Sequence, residues 1–354
     1  MGFKRLEADD FVVSAQAQTQ TCWTGNEPAL EATSMFTQSN QINGQSGVYY
    51  ATVYNTQSGA PDFEAQFEIA YGQQNGGGAL AYNQIANPNV SPASTIYGQY
   101  RTLVLEDENA QFIFGEVSQS SFYALSIERA RYKEKLLPGA TEIHLKVGSD
   151  ELSLIDDSSI QSSVTFTDAG RVYNIVSGSI NDGVKTSGIN SPAGWSENSG
   201  SYGLFLPDIG TILLSGPALD GIPGDGGISL NTAQNPGNTK KENPRKLFNA
   251  ISSSAASVVD DTKNFKLNSE ESLSSNFIFV RARNAEFNYS ENPSFISGST
   301  GAVLFDSFVD DPTSYITTVG LYNDNNELLA VAKLSRPLPK NFTKELLVRV
   351  KLDF

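Results

Sequence analysis

One histidine and one cysteine bound the chemistry open to this chain. A Ser-His-Asp or Cys-His catalytic group would have to use His144. It lies in Ile143-His144-Leu145-Lys146-Val147, where strand alternation sets it opposite Ile143, Leu145 and Val147. That pattern predicts a solvent-facing strand histidine, with no nucleophile and orienting acid at a recognisable spacing. Cys22, beside Trp23, is expected to be a small packed side chain. A disulfide needs a second cysteine, and a zinc site needs several Cys or His ligands. The carboxylate pairs Asp9-Asp10, Asp156-Asp157, Asp260-Asp261 and Asp310-Asp311 are adjacent, whereas glycoside hydrolysis needs two carboxyls across a cleft. Asn323-Asp324-Asn325-Asn326-Glu327 offers oxygen ligands but lacks the EF-hand glycine and register, and it reads as a hairpin turn. Gly76-Gly77-Gly78 has no downstream Gly-Lys-Ser/Thr, so it is not a P-loop. No catalytic residue, no metal ligand and no cofactor is expected.

The residues better suited to a task are cationic. Arg129-Ala130-Arg131 and Arg281-Ala282-Arg283 each close an apolar segment. At alternate strand positions, two guanidinium forks would share one face and fit carboxylates of an acidic partner, or pair within this acid-rich chain. Lys240 and Lys241 open a local basic patch that runs to Lys246 and reads as a solvated loop or as a contact to an acidic neighbour. The chain stops on Leu346, Val348, Val350, Leu352 and Phe354 in period two. Such a strand belongs in a sheet, its own or a neighbour's. Arg129, Arg131, Arg281, Arg283, Lys240, Lys241 and Phe354 are therefore the candidate subunit contacts.

The elements that position these residues are strands. Residues 63–71 alternate cleanly, with Phe63, Ala65, Phe67, Ile69 and Tyr71 on one face. Related patterns recur at 48–54, 121–129, 141–147, 171–176, 204–214, 276–283, 315–322, 327–333 and 345–354. One helix is expected near 94–105, capped by Ser91 or Ser94, with Ile96, Tyr97, Tyr100, Leu103 and Val104 on one face. Hydrophobic residues are 39% and charged residues 18% of 354, below the usual ~45–50% and ~25%. Polar residues and 30 Gly fill the difference, as in short strands joined by long polar loops. The fold class expected is mainly β, with two or more antiparallel sandwich-like domains and about one short helix. The boundaries read as an N-terminal β domain over 1–150, a central β segment over 151–215, and a long loop or inter-domain excursion over 216–268. A C-terminal β region over 269–354 could share a sheet with 151–215.

The net charge of −15 repels phosphate backbones and anionic lipid, so neither nucleic acid nor membrane is an expected partner. No apolar run approaches the ~20 residues of a membrane helix, and the first residues carry no secretory pattern.

Several segments resemble virion structural proteins of large contractile-tailed bacteriophages, especially those infecting cyanobacteria. They are Tyr100–Ala110, Arg129–Gly139, Phe287–Ile296 and Tyr315–Lys333, scattered from about residue 45 to the end. Gly320-Leu321-Tyr322 in the last is similar to a short hairpin near the start of some tail-fibre proteins. The resemblance implies a non-enzymatic virion subunit, made in the host cytoplasm and built into the tail, with the baseplate favoured over the neck or capsid surface. Its partners would be other tail proteins and tail fibres, in an oligomer within the particle. A competing expectation is a glycan-binding adhesin using exposed Tyr, Trp23 or Trp195. A polysaccharide depolymerase would call for a repeated β-helix, and no such repeat is present.

Overall fold

The computed structural model describes residues 3–26, 36–38, 50–55, 59–82, 86–87, 89–115, 117–181, 183–184, 201–223, 225–234, 242–256, 265–290 and 292–353. The chain divides into two compact units: residues 18–271, and residues 1–17 with 272–354. The mainly β architecture is present, and every strand pair of defined register runs antiparallel.

Strand β1 (Phe11–Thr21) comes first and contains a unit boundary. In the larger unit β2 (Phe36–Gln38), β3 (Tyr50–Tyr54) and β4 (Ala65–Gln73) form a meander. Helix α1 (Pro92–Leu105) and the hairpin of β5 (Phe112–Phe114) and β6 (Val117–Gln119) follow, and β7 (Ser121–Ile127) returns beside β4. After β8 (Lys135–Leu136) the chain restarts at the far edge with β9 (Glu142–Val147) and β10 (Asp150–Asp156). It works inward through β11 (Thr165–Thr167), β12 (Gly170–Ser179), β13 (Gly183–Val184), β14 (Gly203–Leu206) and β15 (Thr211–Ser215). The resulting order is β2-β3-β4-β7-β15-β14-β12-β10-β9. Pairing of β15 with β7 joins the two runs into one sheet.

Local chemistry explains the covering helices. Ser91 accepts from the amides of Ala93 and Ser94, Ser94 reciprocates, and Pro92 needs no donor in the first turn, so α1 starts there. It buries Tyr97 and Val104 over β4. Tyr97 stacks on Phe122 at 5.4 Å between centroids, and Phe112 meets Phe122 edge-on at 4.9 Å. Glu106 ends the helix in the left-handed region at φ 51°. Helices α2 (Gly216–Asp220) and α3 (Asn243–Ala256) follow β15. Leu247, Ala250 and Ile251 of α3 enter the same core as Phe67, Leu125 and Leu213.

Gly76, Gly77 and Gly78 are a packing feature. A Cβ on Gly77 would lie 1.7 Å from the carbonyl oxygen of Gln234, and one on Gly78 2.3 Å from that of Ala233. Only glycine lets the two backbones approach so closely.

The smaller unit holds β16 (Asn268–Ala282, from Ser272 on), α4 (Asp306–Asp310), β17 (Ser314–Tyr322), β18 (Leu328–Lys340) and β19 (Leu346–Asp353). In the sheet ordered β1-β16-β19, β19 sets Leu346, Val348, Val350 and Leu352 beside Ala282, Val280, Ile278 and Asn276. The C-terminal strand is thus stitched into its own chain's sheet. β17 and β18 form a separate two-stranded ribbon. Its turn is the expected hairpin: Asn323 Oδ1 accepts from the amides of Asn325 and Glu327, and Asn326 takes φ 62°.

Three boundaries differ from expectation. The 150/151 division cuts the β9–β10 hairpin, whose register pairs Asp150 with Val147, so 151–215 belongs to the same sheet as 36–127. Residues 216–268 are not simply a long loop: they carry α2, α3 and the core residues Leu219, Ile228, Phe265 and Leu267. Residues 269–354 do not share a sheet with 151–215; β16 pairs with β1, β8 and β19. Each difference is a long-range pairing or a burial, which local composition does not encode. α2, α3 and α4 also exceed the one short helix expected.

Candidate functional site

The polar cluster richest in chemistry surrounds the single histidine. His144 is buried rather than solvent-facing, and it pairs across the hairpin with Ser153. The Ser153 hydroxyl lies 2.8 Å from Nδ1 of His144, and Glu142 Oε1 lies 3.0 Å from Nε2. Lys266 Nζ donates to Glu142 Oε2 at 3.1 Å. Alternation puts Glu142 and His144 on one face, and register brings Ser153 opposite. A serine, an imidazole and a carboxylate in line resemble a hydrolytic triad. Two features argue against that chemistry. The Nε2 approach to Glu142 is close but misaligned, leaving Nε2 without a directed hydrogen bond. Ser153 also sits mid-strand in a paired ladder, not on an exposed turn.

Burial raises the Glu142 carboxyl, but contacts from His144 and Lys266 and their charge outweigh it, and its pKa lies below the ordinary 4.5. The group is an ionised anchor that ties β9 to the segment before β16, where Glu142 and Lys266 also exchange backbone hydrogen bonds. Asp208 has a similar role. Burial raises it, yet the hydrogen bonds and charge of Arg171 lower it below 3.8, through contacts of 2.7–3.3 Å. Burial also pushes the Cys22 thiol up to about 12, which makes it an unreactive packed group. Among the described residues no group of three or more His, Cys, Asp or Glu side chains could hold a metal ion.

Arg129, Arg131 and Arg281 are engaged within the chain. Arg129 and Arg131 lie in a 3-10 turn, not at alternate strand positions. Arg131 pairs with Glu64 at 2.8 Å, and Arg129 donates to the Tyr132 carbonyl and stacks over its ring. Arg281 is exposed and pairs with Glu345 at 2.7 Å. Arg283 is exposed, and its amide donates to Glu286. Lys240, Lys241 and Phe354 lie outside the described residues.

Beyond Arg281, Arg283 and Phe354, the sequence did not flag the exposed apolar side chains of the smaller unit. Among the described residues its buried hydrophobic side chains are Ile278, Ala282 and Val350, while the main hydrophobic cluster lies wholly within the larger unit. Many of its large apolar side chains are exposed: Val13 at 72%, Val309 at 69%, Leu329 at 67% and Tyr315 at 65%, with Phe305, Leu328 and Val331 among others, while Phe277, Val280, Ile316, Leu346 and Val348 are half-buried. A polar network also ties segments of this unit together. Lys340 is fully buried, and its Nζ donates to the carbonyls of Asn284 and Asn341 and to Asn288 Oδ1 at 2.6–3.0 Å. Burial lowers its pKa. The apolar strand pattern that could have flagged the ribbon is present in the sequence, but alternation alone does not say whether a face is covered. Compared with known proteins, the chain matches no family model, no curated protein and no solved structure.

Proposed function

We propose that this chain is a non-enzymatic structural subunit of a tailed-phage virion, located in the tail baseplate and assembling through sheet edges and apolar faces. The observation that carries the assembly role is the uncovered apolar surface of residues 1–17 and 272–354. Patches of exposed apolar residues on a folded chain mark interaction surfaces, and strands without a covering layer gain one by association. The virion and the tail enter through the resemblance of 100–110, 129–139, 287–296 and 315–333 to phage structural proteins. Cryo-electron microscopy of particles encoding this chain tests the proposal. Density for the chain in the tail, with its β17–β18 ribbon against a neighbour, is expected; virions lacking the chain would overturn it.

One observation favours a second reading, a glycan-binding adhesin. Tyr289, Phe295, Phe305 and Phe308 form a ring cluster on irregular segments and α4, with Tyr289 and Phe305 half exposed. Binding to host glycans that is lost in Tyr289→Ala would select that reading.

A further inference from the structure

The edge strand β1 lacks the devices by which proteins keep sheet edges from pairing. Its residues, Phe11-Val12-Val13-Ser14-Ala15-Gln16-Ala17 and onward to Thr21, include no charge, no proline and no glycine. Natural edges are blunted by charges, prolines, bulges or short length; this one is eleven residues long and uncharged. Phe11–Ala17 is exposed on both faces, and among the described residues β1 pairs only with β16, leaving its outer edge open.

We infer that this edge pairs with β1 of a second copy of the chain, antiparallel across a two-fold axis. Charge favours a like partner here. Residues 1–17 and 272–354 hold 10 basic and 12 acidic residues, a net −2, which leaves −13 of the total −15 for residues 18–271. Pairing through this nearly neutral part of the chain meets less like-charge repulsion than pairing through residues 18–271 would. An uncharged edge also offers no complementary charge by which a different acidic or basic strand would be chosen.

The side-chain pattern fits self-pairing. Centred on Ser14, an antiparallel register sets Phe11 opposite Ala17 and Val13 opposite Ala15 on one face. On the other face Val12 meets Gln16 and Ser14 meets its own copy. This is the longest symmetric register in which Phe11, Val13, Ala15 and Ala17 each oppose an apolar residue; centring one position later puts Phe11 against Thr19. Such cross-strand apolar pairs are the unit of sheet stabilisation. The pairing rests on β1 alone and goes beyond the virion reading.

Light scattering of the purified full-length chain tests it. The expected mass is twice that of the 38.1 kDa chain, and Val13→Lys, which puts a charge on the open edge, halves it with an unchanged circular dichroism spectrum. Ser14→Cys supplies a second arm. Its two copies face each other across the axis within disulfide reach, while the native Cys22 is buried. Oxidation should link Ser14→Cys into dimers at least tenfold more efficiently than Gln16→Cys. A monomeric wild type, a dimer indifferent to Val13→Lys, or equal crosslinking at both positions would overturn the inference. Each of these outcomes leaves the presence of the chain in virions to be judged by microscopy.

Discussion

Replacing Glu142 by glutamine tests whether the Ser153–His144–Glu142–Lys266 cluster is an electrostatic anchor. Removing one partner of a buried ion pair costs roughly 3–5 kcal/mol. The Glu142 side chain is 4% exposed, but that of Lys266 is 21% exposed. Lys266 can recover part of its hydration when the carboxylate is lost, which lowers the expected cost to about 2–3 kcal/mol. For a unit of this size that corresponds to a fall in Tm of roughly 4–12 °C. Glutamine keeps the volume and an acceptor, so the loss reports charge rather than packing. The pH dependence has a definite sign. The folded carboxyl titrates below its ordinary 4.5, so its contribution is fully present above that unfolded value and is lost as pH falls through the folded one. Urea denaturation of wild type and Glu142→Gln at about pH 7 and about pH 3 should show a large difference at the first and a small one at the second. Equal destabilisation at both pH values, or none near neutrality, would refute the reasoning. Ser153→Ala removes a single hydrogen bond and should cost only about 1 kcal/mol. An ester-cleaving activity that disappears in that variant would instead make the cluster a hydrolytic site.

Four further outcomes follow from other parts of the molecule. Phe122→Ala, at the meeting point of Tyr97, Tyr100 and Phe112, should lower stability by about 3–5 kcal/mol in denaturant titration. Gly77→Ala drives a methyl toward the Gln234 carbonyl oxygen, a backbone atom that cannot rotate away, and a loss of about 1–3 kcal/mol is expected in the same assay. Lys340→Met removes three hydrogen bonds that hold Asn284, Asn288 and Asn341; hydrogen exchange across 284–290 should accelerate, with the larger unit unchanged. Reversing Arg281 and Arg283 to glutamate should reduce incorporation into particles while the purified chain keeps its circular dichroism spectrum, because the Arg281–Glu345 pair is solvent-exposed. Normal incorporation would remove these arginines as subunit contacts.

Elements were legible where one face is buried. The alternation of Phe67, Ile69 and Tyr71 and of Leu346, Val348, Val350 and Leu352 specified strands and their inner faces, because a period of two survives wherever a core selects it. The Ser91–Ser94 capping pair marked the start of α1 for an equally local reason. Strand β1 escaped because both of its faces are exposed and nothing imposed a pattern on it. Helix α3 escaped although Leu247, Phe248 and Ile251 stand at helical spacing; the breakers before it dominated the composition. The candidate site was the least legible. His144 has the spacing of a surface residue, and only the register with Ser153 and the bridge from Glu142 to Lys266 places it inside a polar network.

By itself, the amino-acid sequence determined that the chain is a mainly β protein, that one histidine and one cysteine limit its chemistry, and which side of the strands at Ala65–Gln73 and Leu346–Asp353 turns inward. These follow from residue type and short-range periodicity. Tertiary structure alone decided that 151–215 continues the sheet of 36–127, that 216–268 contributes to its core, and that β1 and the β17–β18 ribbon leave large apolar side chains exposed. Those outcomes depend on which distant segments meet, and the free energy of such meetings is shared between partners rather than carried by either sequence alone.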